Sequence, residues 1–142
     1  MSNLEFFFAE NVEKVELVEK VVSNRFKDAD GNPIKWHFGA IDGTLDSKNR
    51  ADCTKKVAVP GKPNLRTPEV NVNLYLLKNA VDTIKFPNLK DARLQDSYGV
   101  MSAEELLQKM LLPAELQNVL KITTEVNGFN TNENDLVEEA KN

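Results

Sequence analysis

The stretch Val70-Asn71-Val72-Asn73-Leu74-Tyr75-Leu76-Leu77-Lys78-Asn79-Ala80-Val81-Asp82-Thr83-Ile84 decides the fold, because the apolar period changes there from two residues to about 3.6. Leu74, Leu77, Val81 and Ile84 line one side of the predicted helix, and Lys78, Asp82 and Lys85 line another. Asn71 opens it and Pro87 stops it. Strand signals precede this switch and helix signals follow it.

Toward the N-terminus, residues 12 to 27 are rich in valine with interleaved charge, and residues 33 to 41 set Ile34, Trp36, Phe38 and Ala40 against Lys35, His37 and Gly39. Both segments are expected as strands. Asp28-Ala29-Asp30-Gly31-Asn32-Pro33 between them is turn chemistry, since Gly and Asn accept positive φ and Pro fixes the exit. A short exposed helix is expected from Thr44 or Asp46 to about Asp52. A second hairpin joins Lys55–Val59 to Leu65–Val70 through Pro60-Gly61-Lys62-Pro63-Asn64, with Pro68 placing its segment at a sheet edge or outside the sheet.

Toward the C-terminus, Asn88 is expected to cap a short helix carrying Ala92, Leu94 and Gln95 that ends near Gly99. Asp96 or Ser97 is then expected to satisfy backbone N–H groups at that end. Ser102-Ala103-Glu104-Glu105 has the form of a capping box, followed by the apolar stripe Leu106, Leu107, Met110 and Leu111, with Glu105 placed to pair with Lys109. Pro113 suits the first position of a last helix that uses Leu116, Val119, Leu120, Thr123 and Val126 and closes at Asn127-Gly128. The expected architecture is α+β: N-terminal antiparallel hairpins in a small meander sheet, packed with a C-terminal cluster of about four short helices. Residues 1–128 are expected to form one domain, and 129–142 an acidic, flexible tail.

Length and charge narrow the function. A chain of 142 residues buries roughly two-thirds of its unfolded surface, enough for one core. A net charge of -4 gives no overall attraction for nucleic-acid phosphates or anionic lipid, so protein partners are expected. The opening Met1-Ser2-Asn3-Leu4-Glu5 lacks a basic segment, and Phe6-Phe7-Phe8-Ala9 is too short for a membrane span, which leads to a cytoplasmic expectation. Cys53 is the only cysteine, so neither an intrachain disulfide nor a cysteine metal cluster can form.

Catalysis finds little to work with, and no cofactor or metal is expected. His37 is the only imidazole, and between Trp36 and Phe38 it reads as an outward or partly packed strand residue in preference to a catalytic base. Asp28, Asp30 and Asn32 suggest a calcium loop, but Gly31 falls at the fourth loop position where the motif needs glycine at the sixth. Asp91 and Asp96 stand about 140° apart on a helix and do not share a face. The basic run Arg50, Lys55, Lys56, Lys62 and Arg66 raises a nucleic-acid interface, without an aromatic residue among them to stack a base; a solvated strand face or a contact for an acidic protein are the other readings. Met101 and Met110 suit either a groove for apolar helices or core filling.

The stretch Phe86-Pro87-Asn88-Leu89-Lys90-Asp91-Ala92-Arg93-Leu94-Gln95-Asp96-Ser97-Tyr98-Gly99-Val100-Met101 resembles the most distinctive segment of the phage XkdN-like tail assembly chaperones. The likeness continues through Ala103-Glu104-Glu105-Leu106-Leu107, Met110-Leu111-Leu112-Pro113 and Val126-Asn127-Gly128-Phe129. In the N-terminal half it includes Phe7-Phe8-Ala9-Glu10-Asn11, Arg25-Phe26, Trp36 and Cys53-Thr54-Lys55. It spans residues 4 to 129 and departs at Gly61 to Leu65 and in the acidic tail.

What this resemblance implies is a binding protein that holds the tape measure protein soluble until tail tube subunits polymerise around it, and that is absent from the mature virion. No small-molecule substrate, nucleic acid or membrane belongs to that role, and self-association is left open. Leu94, Gln95, Asp96, Tyr98, Gly99, Met101, Leu106 and Met110 become the candidate partner-binding or family-motif residues, with a groove between the C-terminal helices as the expected site. The alternatives are a structural tail component retained in the particle and a nucleic-acid-binding accessory protein.

Overall fold

A computed structural model describes residues 3–129, and the acidic tail expected beyond them lies outside the described residues. After two short 3-10 turns at Asn3–Phe7 and Ala9–Asn11, strand β1 (Val18–Val21) pairs antiparallel with β2 (Lys35–Phe38), setting Val18 opposite Phe38 and Lys20 opposite Trp36. The turn between them is the expected one. Asp28 Oδ1 accepts from the N–H groups of Asp30 (2.9 Å) and Asn32 (3.0 Å), while Gly31 takes φ 82°. The Asp28 side chain is therefore turn chemistry, served by the backbone N–H groups of Asp30 and Asn32.

The first strand is shorter than residues 12 to 27, because a strand extends only as far as its partner. β2 ends at Phe38, and Gly39 turns its N–H to the Thr83 carbonyl at 2.8 Å. Helix α1 (Gly43–Asp52) follows, capped by Asp42, whose side chain accepts from Leu45 N–H at 2.9 Å, so it starts slightly ahead of Thr44.

The second hairpin is a separate two-stranded ribbon of β3 (Thr54–Val59) and β4 (Lys62–Val70), with Pro68 opposite Lys56. In such a ribbon both strands are edges, so the expected restriction on Pro68 is met. Lys62, Pro63 and Asn64 belong to β4, leaving Pro60-Gly61 as the turn, with Gly61 at φ 76°.

Helix α2 (Val72–Thr83) begins at the Asn71 cap as the period change demands, but it ends at Thr83 and not at Pro87. Ile84–Phe86 forms β5 instead, completing a three-stranded sheet in the order β1-β2-β5. A residue before proline is driven to extended backbone, and Ile84 and Phe86 are good strand residues, so the sheet edge wins over another helical turn.

Asp91, not Asn88, caps α3 (Ala92–Ser97), accepting from Arg93 N–H at 2.8 Å and Leu94 N–H at 3.2 Å. Asn88 closes the turn before it through Lys90 N–H at 3.1 Å. Ser102 caps α4 (Ala103–Met110) by accepting from Glu105 N–H at 3.1 Å. Glu105 reaches back to Met101 N–H at 3.3 Å and is turned away from the expected pairing with Lys109. Pro113 opens α5 (Pro113–Val126), and Glu115 accepts from Leu112 N–H at 2.8 Å.

The α+β expectation therefore holds, with five α-helices among the described residues and α2 touching α1, α4 and α5. Trp36 and Phe38 from the sheet meet Ala80 and Val81 of α2, Leu106 and Leu107 of α4 and Val119 and Ile122 of α5 in one core. Each side chain of that size stabilises the fold by about 1.5–3 kcal/mol through burial.

Candidate functional site

Much of the distinctive segment from Phe86 to Met101 is tied into the fold by its own side chains. Leu94 is half-buried against the core, and Gln95 Nε2 donates to the Leu89 carbonyl at 2.9 Å, locking α3 onto the loop that precedes it. The Asp91 carboxyl is held below its usual range by the backbone N–H groups of Leu94 and Arg93. At the other end, Asp96 is exposed and its backbone carbonyl, not its carboxylate, accepts from Gly99 N–H at 3.1 Å. Ser97 Oγ donates to the Leu94 carbonyl at 2.7 Å, so neither side chain performs the expected N–H capping. Gly99 takes φ 68°, the conformation that ends α3.

The remaining candidates divide cleanly. Leu106 is 0 % and Met110 5 % exposed, so both belong to the core. Met101 is 92 % exposed and Tyr98 lies at the surface beside Gly99. No deep groove is needed to reach either side chain.

The largest concentration of exposed apolar surface is elsewhere. Of the sixteen large hydrophobic side chains that face solvent among the described residues, seven lie between residues 4 and 17: Leu4, Phe6, Phe7, Phe8, Val12, Val15 and Leu17. They form an N-terminal arm ahead of β1. The sequence showed Phe6-Phe7-Phe8 only as an apolar run, since exposure of such a run is settled by what the rest of the chain leaves uncovered.

Polar side chains are used internally. Asp46 accepts from Tyr75 Oη and from Asn79 Nδ2 at 2.7 Å, and Asn49 Nδ2 donates to Asn79 Oδ1 at 2.8 Å and Asp82 Oδ2 at 2.9 Å, stitching α1 to α2. The bond to Asp46 raises the Tyr75 pKa above its ordinary value. Arg25 donates to the Met110 carbonyl and to Glu115, each at 2.8 Å. Glu115 is consequently lowered to about 2 by hydrogen bonding from Ser23 and Arg25 and from the Leu112 N–H.

His37 lies on the outer face of the sheet, 3.5 Å from Glu19 Oε1, with its ring centroid 5.2 Å from that of Phe86 and tilted to it by 41°. That is a strand-surface position. Of the basic run, Arg50 sits over the Tyr75 ring at 5.4 Å and Lys55 stands opposite Glu69, while Lys56, Lys62 and Arg66 are exposed on the ribbon. Among the described residues no three His, Cys, Asp or Glu side chains are grouped to hold a metal, and no helix is long and apolar enough to cross a membrane.

These features define a small α+β protein whose conspicuous surface is apolar and peripheral. A sequence model of the phage XkdN-like tail assembly chaperone proteins matches residues 4–141, and the chain belongs to that family. It is 32% identical to the Bacillus subtilis (strain 168) protein YqbN, described only as uncharacterized, over 99% of this chain and 93% of that protein. It is 27% identical to XkdN of the phage-like element PBSX of the same organism, over 99% of this chain and 94% of XkdN. The crystal structure of YqbN superposes with a TM-score of 0.79 at 25% identity, covering 92% of this chain and 99% of that one.

Proposed function

We propose that this tail assembly chaperone binds the tape measure protein of its phage or prophage and keeps it soluble until tail tube subunits polymerise around it. It acts in the host cytoplasm, without catalysis, and leaves before the particle is complete. Beyond family membership, the observation that carries this reading is the N-terminal arm, where Phe7 is 79 % and Phe6 58 % exposed.

A long helical client exposes repeated apolar seams that associate wrongly unless covered. Phenylalanines that face solvent can cover such a seam without first opening the chaperone's own core. Met101 and Tyr98 add apolar surface on the helical side, so we assign the contact to Phe6, Phe7 and Phe8 of the arm and to this rim, and not to a groove lined by Leu106 and Met110. Release requires only that tube subunits bind the same seam more tightly.

Co-expression of the full chain with fragments of the tape measure protein from the same locus tests the reading. A soluble complex is expected, and mass spectrometry of purified particles should not find the chaperone. Failure of every fragment to bind, or stoichiometric retention in the particle, would count against it.

A further inference from the structure

We propose that two copies of this chain pair through the outer edge of β1, antiparallel about a two-fold axis at Val18. This inference does not depend on the identity of the client.

β1 is the edge strand of the β1-β2-β5 sheet. Gly39 turns its N–H toward Thr83 on the β5 side of β2, so Phe38 and Trp36 turn theirs toward β1 by the alternation of an antiparallel ladder. On β1, the backbone groups of Glu19 and Val21 then point away from the sheet, and residues 13–17 ahead of it belong to no helix or strand. An edge of this kind is a template for another strand. Apolar side chains along it are uncovered: Val15 is 71 %, Leu17 56 % and Val21 42 % exposed.

The sequence selects one register. Directly opposed residues in an antiparallel sheet lie on the same face, so in a two-fold pair the axis must pass through a residue and not between two. With the axis at Glu16, Glu16 meets itself and Glu13 meets Glu19. At Leu17, Lys14 meets Lys20. At Glu19 or Lys20, a like charge again meets itself. Among axes from Glu16 to Val21, those at Val18 and Val21 oppose no like charges, and of these two only the axis at Val18 sets Glu16 opposite Lys20 twice and pairs Val15 with Val21 twice. Val18 then faces Val18 across the axis. Glu16 and Lys20 are exposed, so both are free to form these pairs. The hydrogen-bonded pairs of this register join Leu17 to Glu19, the residues whose backbone groups point outward.

The tests use the full chain. Sedimentation equilibrium is expected to show a dimer whose dissociation constant rises about tenfold in Glu16→Lys and in Lys20→Glu, where each change opposes like charges at two positions. The double reversal E16K/K20E is expected to recover the original value. Val18→Cys should cross-link to its own copy under mild oxidation, whereas Glu19→Cys, which faces Leu17, should not. A chain that stays monomeric at every concentration would overturn the proposal. So would a double reversal no better than either single change, or protection of the β1 amides from exchange only when a helical client is added.

Discussion

Asn127, one residue past α5, donates from Nδ2 to the Thr83 hydroxyl at 2.9 Å, tying the end of the last helix to the end of α2. Its Oδ1 accepts from Ile41 N–H at 2.8 Å, so a single side chain joins the exit of the sheet to two helices. Thr83 is fully buried and itself donates to the Asn79 carbonyl at 2.7 Å. Asn127→Ala leaves the Ile41 donor without its partner and is expected to cost about 1–3 kcal/mol in urea unfolding. Thr83→Val should cost less, because Nδ2 also donates to the Thr123 carbonyl at 3.0 Å.

Glu115 gives the fold an acid sensitivity of definite sign. Its carboxyl drops from an ordinary 4.5 to about 2 in the folded chain, so it contributes stability that is present above pH 4.5. That contribution is lost as pH falls from about 4.5 toward about 2. Glu115→Gln should flatten the stability profile across that window while leaving its shape near neutrality unchanged, as equilibrium unfolding at stepped pH would show.

Burial separates two methionines that look alike in sequence. Leu106→Ala is expected to cost about 2–5 kcal/mol by opening a cavity, and Met110→Ala a similar amount. Met101→Ala, at a position 92 % exposed, should stay within about 0.5 kcal/mol of the parent in the same urea titration.

Client binding should show the reverse pattern. Phe7→Asp combined with Met101→Asp is expected to weaken capture of a tape measure fragment at least about tenfold, since each change places a charge on a contact that must be desolvated. Circular dichroism should report an unchanged melting curve. A variant that binds normally would remove the arm from the interface.

How much of this was legible depends on whether a feature is local. The period change at Asn71, the Asp28 to Pro33 turn, the Ser102 cap and Pro113 at the start of a helix are set by neighbours within a few residues, and each stands where the residues indicated. β5 was hidden because Ile84 continues the helical stripe of α2, and only pairing with β2 shows that it belongs to the sheet. Asn88 and Asp91 carry the same capping chemistry three residues apart, and the packing of α3 chose between them. An apolar stripe at helical spacing has one signature whether it faces a core or a client, which is why Leu106 and Met110 could be read either way. The arm was invisible for a related reason, as nothing in Leu4 to Leu17 announces that the core closes without it.

Cys53 sits at the junction of α1 and β3, where burial pushes its thiol pKa up. A thiol that is both shielded and held protonated reacts slowly with maleimides, since the thiolate is the nucleophile. Because it is the chain's sole sulfhydryl, a cysteine engineered at an exposed rim position would take a fluorophore almost alone. The wild-type background is thus ready for distance measurements that follow a client arriving and departing in real time.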